Sequence, residues 1–189
     1  MAENNYTPKI LNVLTWPDSE LSIPSEDVTE FDTKLTDTIT DMFTTMAAYN
    51  AIGLAAPQCG IHKNIIVLRI EEHSPFVLIN PKIISSSEEI FEWEEGCLSV
   101  PGYYEKRKRP EMIVVESVDT NNKRTELEFR GLYAFAVQHE IDHLQGKTFV
   151  DNSSWFKRNR IIKKIEKHKT SQTARLAQIQ QYLQQETRK

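Results

Sequence analysis

The chain has 189 residues and a mass of 21.9 kDa, the size of one ordinary domain. With 39% hydrophobic and 26% charged residues and a mean hydropathy of -0.49, it has the composition of a soluble globular protein. No apolar run nears the roughly 20 residues that span a bilayer. Two cysteines exclude a disulfide framework and point to a reducing compartment. The first residues are polar and acidic, without the pattern of a secretory signal or a transit peptide, so a cytoplasmic location is expected. The formal charge of -4 conceals a division. Residues 153–189 carry ten lysines and arginines against two glutamates, a net of +8, which leaves residues 1–152 at -12. A basic tail on an acidic body suggests a polyanionic partner, although a solvated lysine-rich helix has the same composition.

From Ser25, apolar residues Val28, Phe31, Leu35, Ile39, Met42, Phe43 and Met46 recur at steps of three and four. They predict an amphipathic helix capped by Ser25 or Asp27 and ending near Asn50. Runs rich in β-branched and aromatic residues follow at 64–70, 76–84, 111–118 and 124–129, with a hairpin turn at 119–122. Asn80-Pro81 places the second run at a sheet edge or a bulge. A second helix is expected from Gly131 to Gly146, apolar nearly all round in its first half and therefore buried. The tail is a third helix, striped by Ile161, Ile162, Ile165, Leu176, Ile179 and Leu183 and broken by polar residues 169–173. The class is α+β: antiparallel or mixed sheets around a buried central helix, with a helix at each end. The division of charge gives an acidic body, 1–152, and a basic helical extension, 153–189.

That central helix carries His139-Glu140-Ile141-Asp142-His143. Its two histidines lie one turn apart on one face and can reach a single metal ion, with Glu140 beside it to take a proton from water. Three protein ligands and an open position are what a catalytic site requires. A third histidine six residues on is excluded, because Phe149 stands there. Glu166 is one candidate, in a polar stretch of the tail. Cys97 is the better one, in Glu95-Gly96-Cys97-Leu98-Ser99, where a thiolate beside a divalent cation loses its proton. The segment Gly53-Leu54-Ala55-Ala56-Pro57-Gln58 permits close backbone approach, and Gln58 offers an amide N–H to a developing oxyanion.

Together these three segments resemble the peptide deformylase family, whose motifs are G-x-G-L-A-A-x-Q, E-G-C-L-S and Q-H-E-x-D-H. Here they run from Ala51 to Gln58, Glu95 to Ser99 and Gln138 to His143, within a resemblance from Ile10 to Val150. The first departs at Ala51, where the family has glycine, a difference that matters if the backbone there needs φ > 0. Tyr103 and Tyr104 stand near where some members carry a substrate-binding arginine. The resemblance implies hydrolysis of the formyl group from the N-terminal methionine of new chains. Cys97, His139 and His143 would bind the metal, natively Fe(II), with Zn, Ni or Co accommodated. Glu140 would move the proton, and Gln58 and the Leu98 N–H would hold the oxyanion. Ile52, Gly53, Trp93, Gly96, Phe135, Ala136 and Tyr104 would meet the substrate, and Glu95 would pair with Arg109 to fix the cysteine loop, a pair that contributes little if it lies at the surface. The extension would dock a monomer on the ribosome through rRNA phosphates.

The other readings are a metallopeptidase or other N-acyl amidohydrolase, separable by formyl against acetyl substrates, and a non-catalytic ribosome-associated metal-binding protein, which would not need Glu140 and Gln58. The remaining candidates are blander: Cys59 as a regulatory thiol, His62, His73 and His168 as solvated histidines, and Lys106 to Arg109 as a solvated turn.

Overall fold

The computed structural model describes residues 6–69 and 75–186; His73 lies outside them. The first long helix, α1, is Thr33–Ala48, and Asp32 caps it by accepting the Leu35 N–H at 3.0 Å. Its cap therefore lies seven residues beyond Ser25 and five beyond Asp27, the two that the apolar spacing predicts. Glu26 instead bridges Lys63, and the Asn80 side chain holds both the N–H and the C=O of Val28, at 2.7 and 2.9 Å. A distant amide thus claims backbone groups that a helical turn would need.

The strands are β1 Gly53–Ala55, β2 Ile65–Leu68, β3 Phe76–Ser86, β4 Ile90–Gly96, β5 Tyr104–Pro110, β6 Met112–Val118 and β7 Arg124–Arg130. Five form a sheet in the order β1-β2-β3-β6-β7, while β4 and β5 pair separately, and every strand pairing is antiparallel rather than mixed. Strand β3 lies inside the sheet. The register shift between Ile79 and Lys82, with Asn80 at φ 53°, marks Asn80-Pro81 as a bulge, not an edge. Lys106 to Arg109 belong to β5 and are not a turn; Glu92 and Glu94 face Lys108 and Lys106 across the pair.

Helix α2, Gly131–Leu144, and α1 lie on opposite faces of the large sheet. The period of two in β2 decides this: Ile65 and Val67 pack with Met42 and Met46, whereas Ile66 and Leu68 pack with Ala134, Val137 and Ile141. All four strand residues are buried, which explains their unbroken apolar run. The last helix, α3, is Trp155–Glu186 and continues through 169–173 without a break. Its Ile161 and Ile165 enter a third apolar cluster with Trp16, Leu21, Val100, Phe149 and Val150. Farther on, Gln180 accepts the Ile10 N–H at 3.0 Å. No helix among the described residues is long and apolar enough to cross a membrane.

Candidate metal centre and its cleft

Strand β4 delivers Cys97 to the face of α2 that carries His139 and His143. The Cys97 Sγ lies 3.2 Å from His143 Nε2, which lies 3.2 Å from His139 Nε2, and the three donors fall within 4.8 Å of one another. Tetrahedral donors at bonding distance from one ion stand roughly 3.3–3.6 Å apart, and two of the separations here, at 3.2 Å, are close to that, so the three donors can converge on one divalent cation. Its donor chemistry, two imidazoles and a thiol, suits Zn or Fe(II) better than the oxygen-preferring Mg or Ca. Glu166 is exposed on α3 and lies outside the trio.

Burial keeps His143 neutral, with its pKa held below the ordinary range by desolvation first and His139 second, which is the form that ligates. Two donors aim at the sulfur: the Gln58 Nε2 and the Ser99 N–H, each at 3.3 Å. The rest of the Gln58 amide is committed, with Oε1 accepting the Ala55 N–H at 2.9 Å and Nε2 also reaching Ser99 Oγ at 3.2 Å.

Behind His139, Glu95 accepts from its Nδ1 and is bridged by Arg109 Nη2 at 3.0 and 3.3 Å; the same Nη2 reaches Asp142 at 2.8 Å. The expected Glu95–Arg109 pair is present and buried, with side chains 2% and 11% exposed. Burial would raise the Glu95 carboxyl, but the His139 hydrogen bond and Arg109 outweigh it and hold it below its usual value. The sequence reading did not include Asp142 or the link from Glu95 to His139. The alternation of charges along β4 and β5 was the available signal.

Glu140 is buried against Gly53, and a Cβ at Gly53 would strike its carboxylate. Burial pushes the Glu140 carboxyl up to about 7, His139 moderating the rise, and its Oε2 has no hydrogen-bond partner. That orphaned oxygen beside three convergent donors is where water and an ion would be satisfied. Ala51 is not among the positive-φ residues; Asn50, at 54°, makes that turn instead, so the extra methyl meets no backbone conflict.

A cavity of about 380 Å³ opens over the trio. Ile52, Gly53 and Gln58 line it from β1 and its flanks, and Phe135, Ala136, His139 and Glu140 from α2. Trp93, Gly96, Cys97, Leu98 and Tyr104 line it from β4, β5 and the loop between them. His143 sits behind, against Cys97 and His139. Phe135 is buried under Arg109, whose guanidinium lies 5.3 Å from its ring, while Ile52, Trp93 and Tyr104 are exposed at the rim. His168 is exposed, as expected, and also borders this cavity. Cys59 is a free thiol whose pKa burial pushes up to about 12, which makes it a poor nucleophile. His62 is only part-exposed, its Nε2 3.7 Å from Glu20.

A cleft floored by a thiol and two imidazoles, with a buried glutamate beside them, defines the centre of a metal-dependent hydrolase. Residues 10–159 match the polypeptide deformylase family. Peptide deformylase 1 of Pseudomonas syringae pv. tomato is 45% identical over 84% of this chain and 95% of its own length. The peptide deformylase of Teredinibacter turnerae is 46% identical over the same shares. The crystal structure of Ehrlichia chaffeensis peptide deformylase in complex with actinonin superposes with a TM-score of 0.80 at 40% identity, covering 85% of this chain and 98% of that one. The Legionella pneumophila enzyme does so at 0.80 and 41%, covering 87% and 98%. The chain belongs to the polypeptide deformylase family.

Proposed function

We propose that this chain removes the formyl group from the N-terminal formyl-methionine of new polypeptides, with Cys97, His139 and His143 holding the metal and Glu140 moving the proton. The observation that supports this most directly is the donor trio, within 4.8 Å, against a buried glutamate that has an unpartnered oxygen. A divalent ion held there, Fe(II) in the cell with Zn, Ni or Co as substitutes, supplies Lewis acidity and lowers the pKa of the attacking water.

The chain's own residues do the rest. Glu140, with its pKa raised to about 7, accepts the water's proton near neutral pH and returns it to the leaving amine as the C–N bond breaks, releasing formate and a free N-terminus. Gln58 Nε2, on giving up its bond to Cys97 Sγ or Ser99 Oγ, and the Leu98 N–H are the oxyanion donors: both residues line the cleft beside Cys97, where fixed donors stabilise developing charge. The buried Phe135 and Ala136, under the rim of Ile52 and Trp93, form the apolar pocket for the methionine side chain. Gly53 and Gly96 let the peptide backbone approach, and Tyr104 borders its exit. The Glu95–Arg109–Asp142 chain fixes the His139 ring, a positioning role typical of groups behind metal ligands.

The enzyme works in the cytoplasm as a monomer, its catalytic body at 1–152. The basic extension 153–189 docks on the ribosome, lysines and arginines on the exposed face of α3 meeting rRNA phosphates. Its readout is co-sedimentation with ribosomes at moderate salt, lost on charge reversal of that face.

The test of the chemistry is Glu140→Ala, purified without oxygen and analysed for metal. Metal content should match the wild type while kcat on a short formyl-Met peptide falls about 10²–10⁴-fold and acetyl-Met peptides stay unreactive in both. A metal-loaded Glu140→Ala protein with the full rate would overturn the assignment of the base.

A further inference from the structure

Strands β4 and β5 pair only with each other, so side chains rather than a strand ladder hold them against α2. At the metal end of β4 those ties are ionic: Glu95 meets His139, and Arg109 meets Asp142. At the other end the tie is aromatic. Phe91, Trp93 and Glu95 alternate onto one face of the strand, the face that Glu95 turns to His139. Phe91, itself half-buried, stacks on Trp93 with ring centres 5.7 Å apart and planes 12° from parallel. It also meets Phe135 of α2 edge-on, at 6.2 Å and 76°. Trp93 and Phe135 line the cleft, and Phe91 does not. Phe91 therefore backs two walls of the methionine pocket, the buried Phe135 and an indole that is 48% exposed. The two walls are not equally held. Phe135 has a second support in the Arg109 guanidinium, whereas among the described residues Trp93 has no other ring or cation against it.

We propose that Phe91 is a positioning residue for substrate selection: by stacking on Trp93 it holds the indole at the mouth of the methionine pocket and so sets how fully the end of that side chain is enclosed. The inference rests on the deformylase reading and deepens it. An indole at the surface is free to change rotamer, and a parallel ring on one of its faces restricts it in advance, so the substrate does not have to order it on binding. A wall already in place takes the terminal methyl of methionine out of water, while a shorter side chain gains less from it. The enclosure is the same before and during bond breaking, which places the effect in KM.

The experiment compares formyl-Met-Ala-amide with formyl-norvaline-Ala-amide, whose first side chain is shorter, on the full-length, metal-loaded chain. The wild type should prefer the methionine peptide by about tenfold in kcat/KM. Phe91→Ala should shrink that preference to about threefold or less, through a higher KM for the methionine peptide and with metal content unchanged. Phe91→Leu, which keeps apolar bulk without a flat face, should shrink it in the same way, and Phe91→Tyr should restore it. The leucine variant decides the matter even where Phe91→Ala does not fold. Turnover of both peptides with no methionine preference in the wild type, or a preference that survives Phe91→Leu, overturns the positioning role alone. An equal loss on both peptides also overturns it, since that is the signature of a structural role. No turnover of the methionine peptide by the wild type overturns the deformylase reading together with the role of Phe91.

Discussion

The charges behind α2 and those along α3 use the same residue types to opposite ends. Glu95, Arg109 and Glu140 are withdrawn from water, and Arg109 bridges Glu95 and Asp142. Lys163, Lys167 and Glu166 on α3 are exposed, and that helix is held by Ile161 and Ile165 instead. Burial, not charge, sets the energetic weight of each set. An ion pair taken out of water is costly to leave half-made, whereas an exposed pair contributes about 0–1 kcal/mol. The inner set can therefore hold a geometry, and the outer set is free to meet a partner.

The largest effect expected from breaking this contrast is at Arg109. Arg109→Ala strands the buried Glu95 and releases Asp142, a loss of about 3–5 kcal/mol. Thermal unfolding should fall by roughly 10 °C, given about 2–4 °C per kcal/mol in a chain of this size. Metal affinity, read by chelator competition, should weaken about 10–100-fold as Glu95 ceases to fix His139. An unchanged melting temperature and affinity would show that the inner network holds nothing.

On α3 the same comparison reverses. Ile161→Ala removes a fully buried side chain and should cost about 2–5 kcal/mol by denaturant unfolding. Lys163→Glu with Lys167→Glu changes only exposed groups and should alter stability by less than about 1 kcal/mol. That charge-reversed protein should keep the wild-type rate on formyl-Met-amide while losing co-sedimentation with ribosomes. Retained co-sedimentation would detach the basic extension from its proposed partner.

How much of this could be read from the chain depends on whether the signal is local. His139 and His143 sit one turn apart in a single helix, so their common face follows from helical period alone. Cys97 is brought to them by the end of a strand far along the chain, so no spacing reveals it; the need for a third ligand and its thiol chemistry named it, and the three-segment resemblance agreed. Strand β5 was read as a turn because its exposed lysines and arginines carry almost no apolar alternation; its place comes from charge pairs across to the glutamates of β4. The start of α1 was misplaced because Val28 is apolar at a helical spacing but is buried by an amide 52 residues away. His168 is exposed, as its lysine-rich stretch suggests, but nothing in that stretch reveals that a distant glycine makes room for its ring.

The smallest expected effect sharpens the contrast at the two cysteines. Cys97 receives two hydrogen bonds at its sulfur, whereas Cys59 is buried without a charge to stabilise a thiolate, and its pKa is raised to about 12 by that burial. A raised folded pKa means that the native state keeps a proton that the unfolded chain releases near 9, so the stabilisation is complete below pH 9 and is lost as pH rises towards 12. Tyr49, raised by burial and by Cys59, moves in the same sense. Between pH 9 and 11 the wild-type melting temperature should therefore fall more steeply than that of Cys59→Ala, by about 2–4 °C. At pH 8 the native thiol should also resist a small alkylating reagent that labels the unfolded chain. Parallel declines in the two proteins, together with rapid native labelling of Cys59, would mean that this thiol is open to solvent and free for redox chemistry.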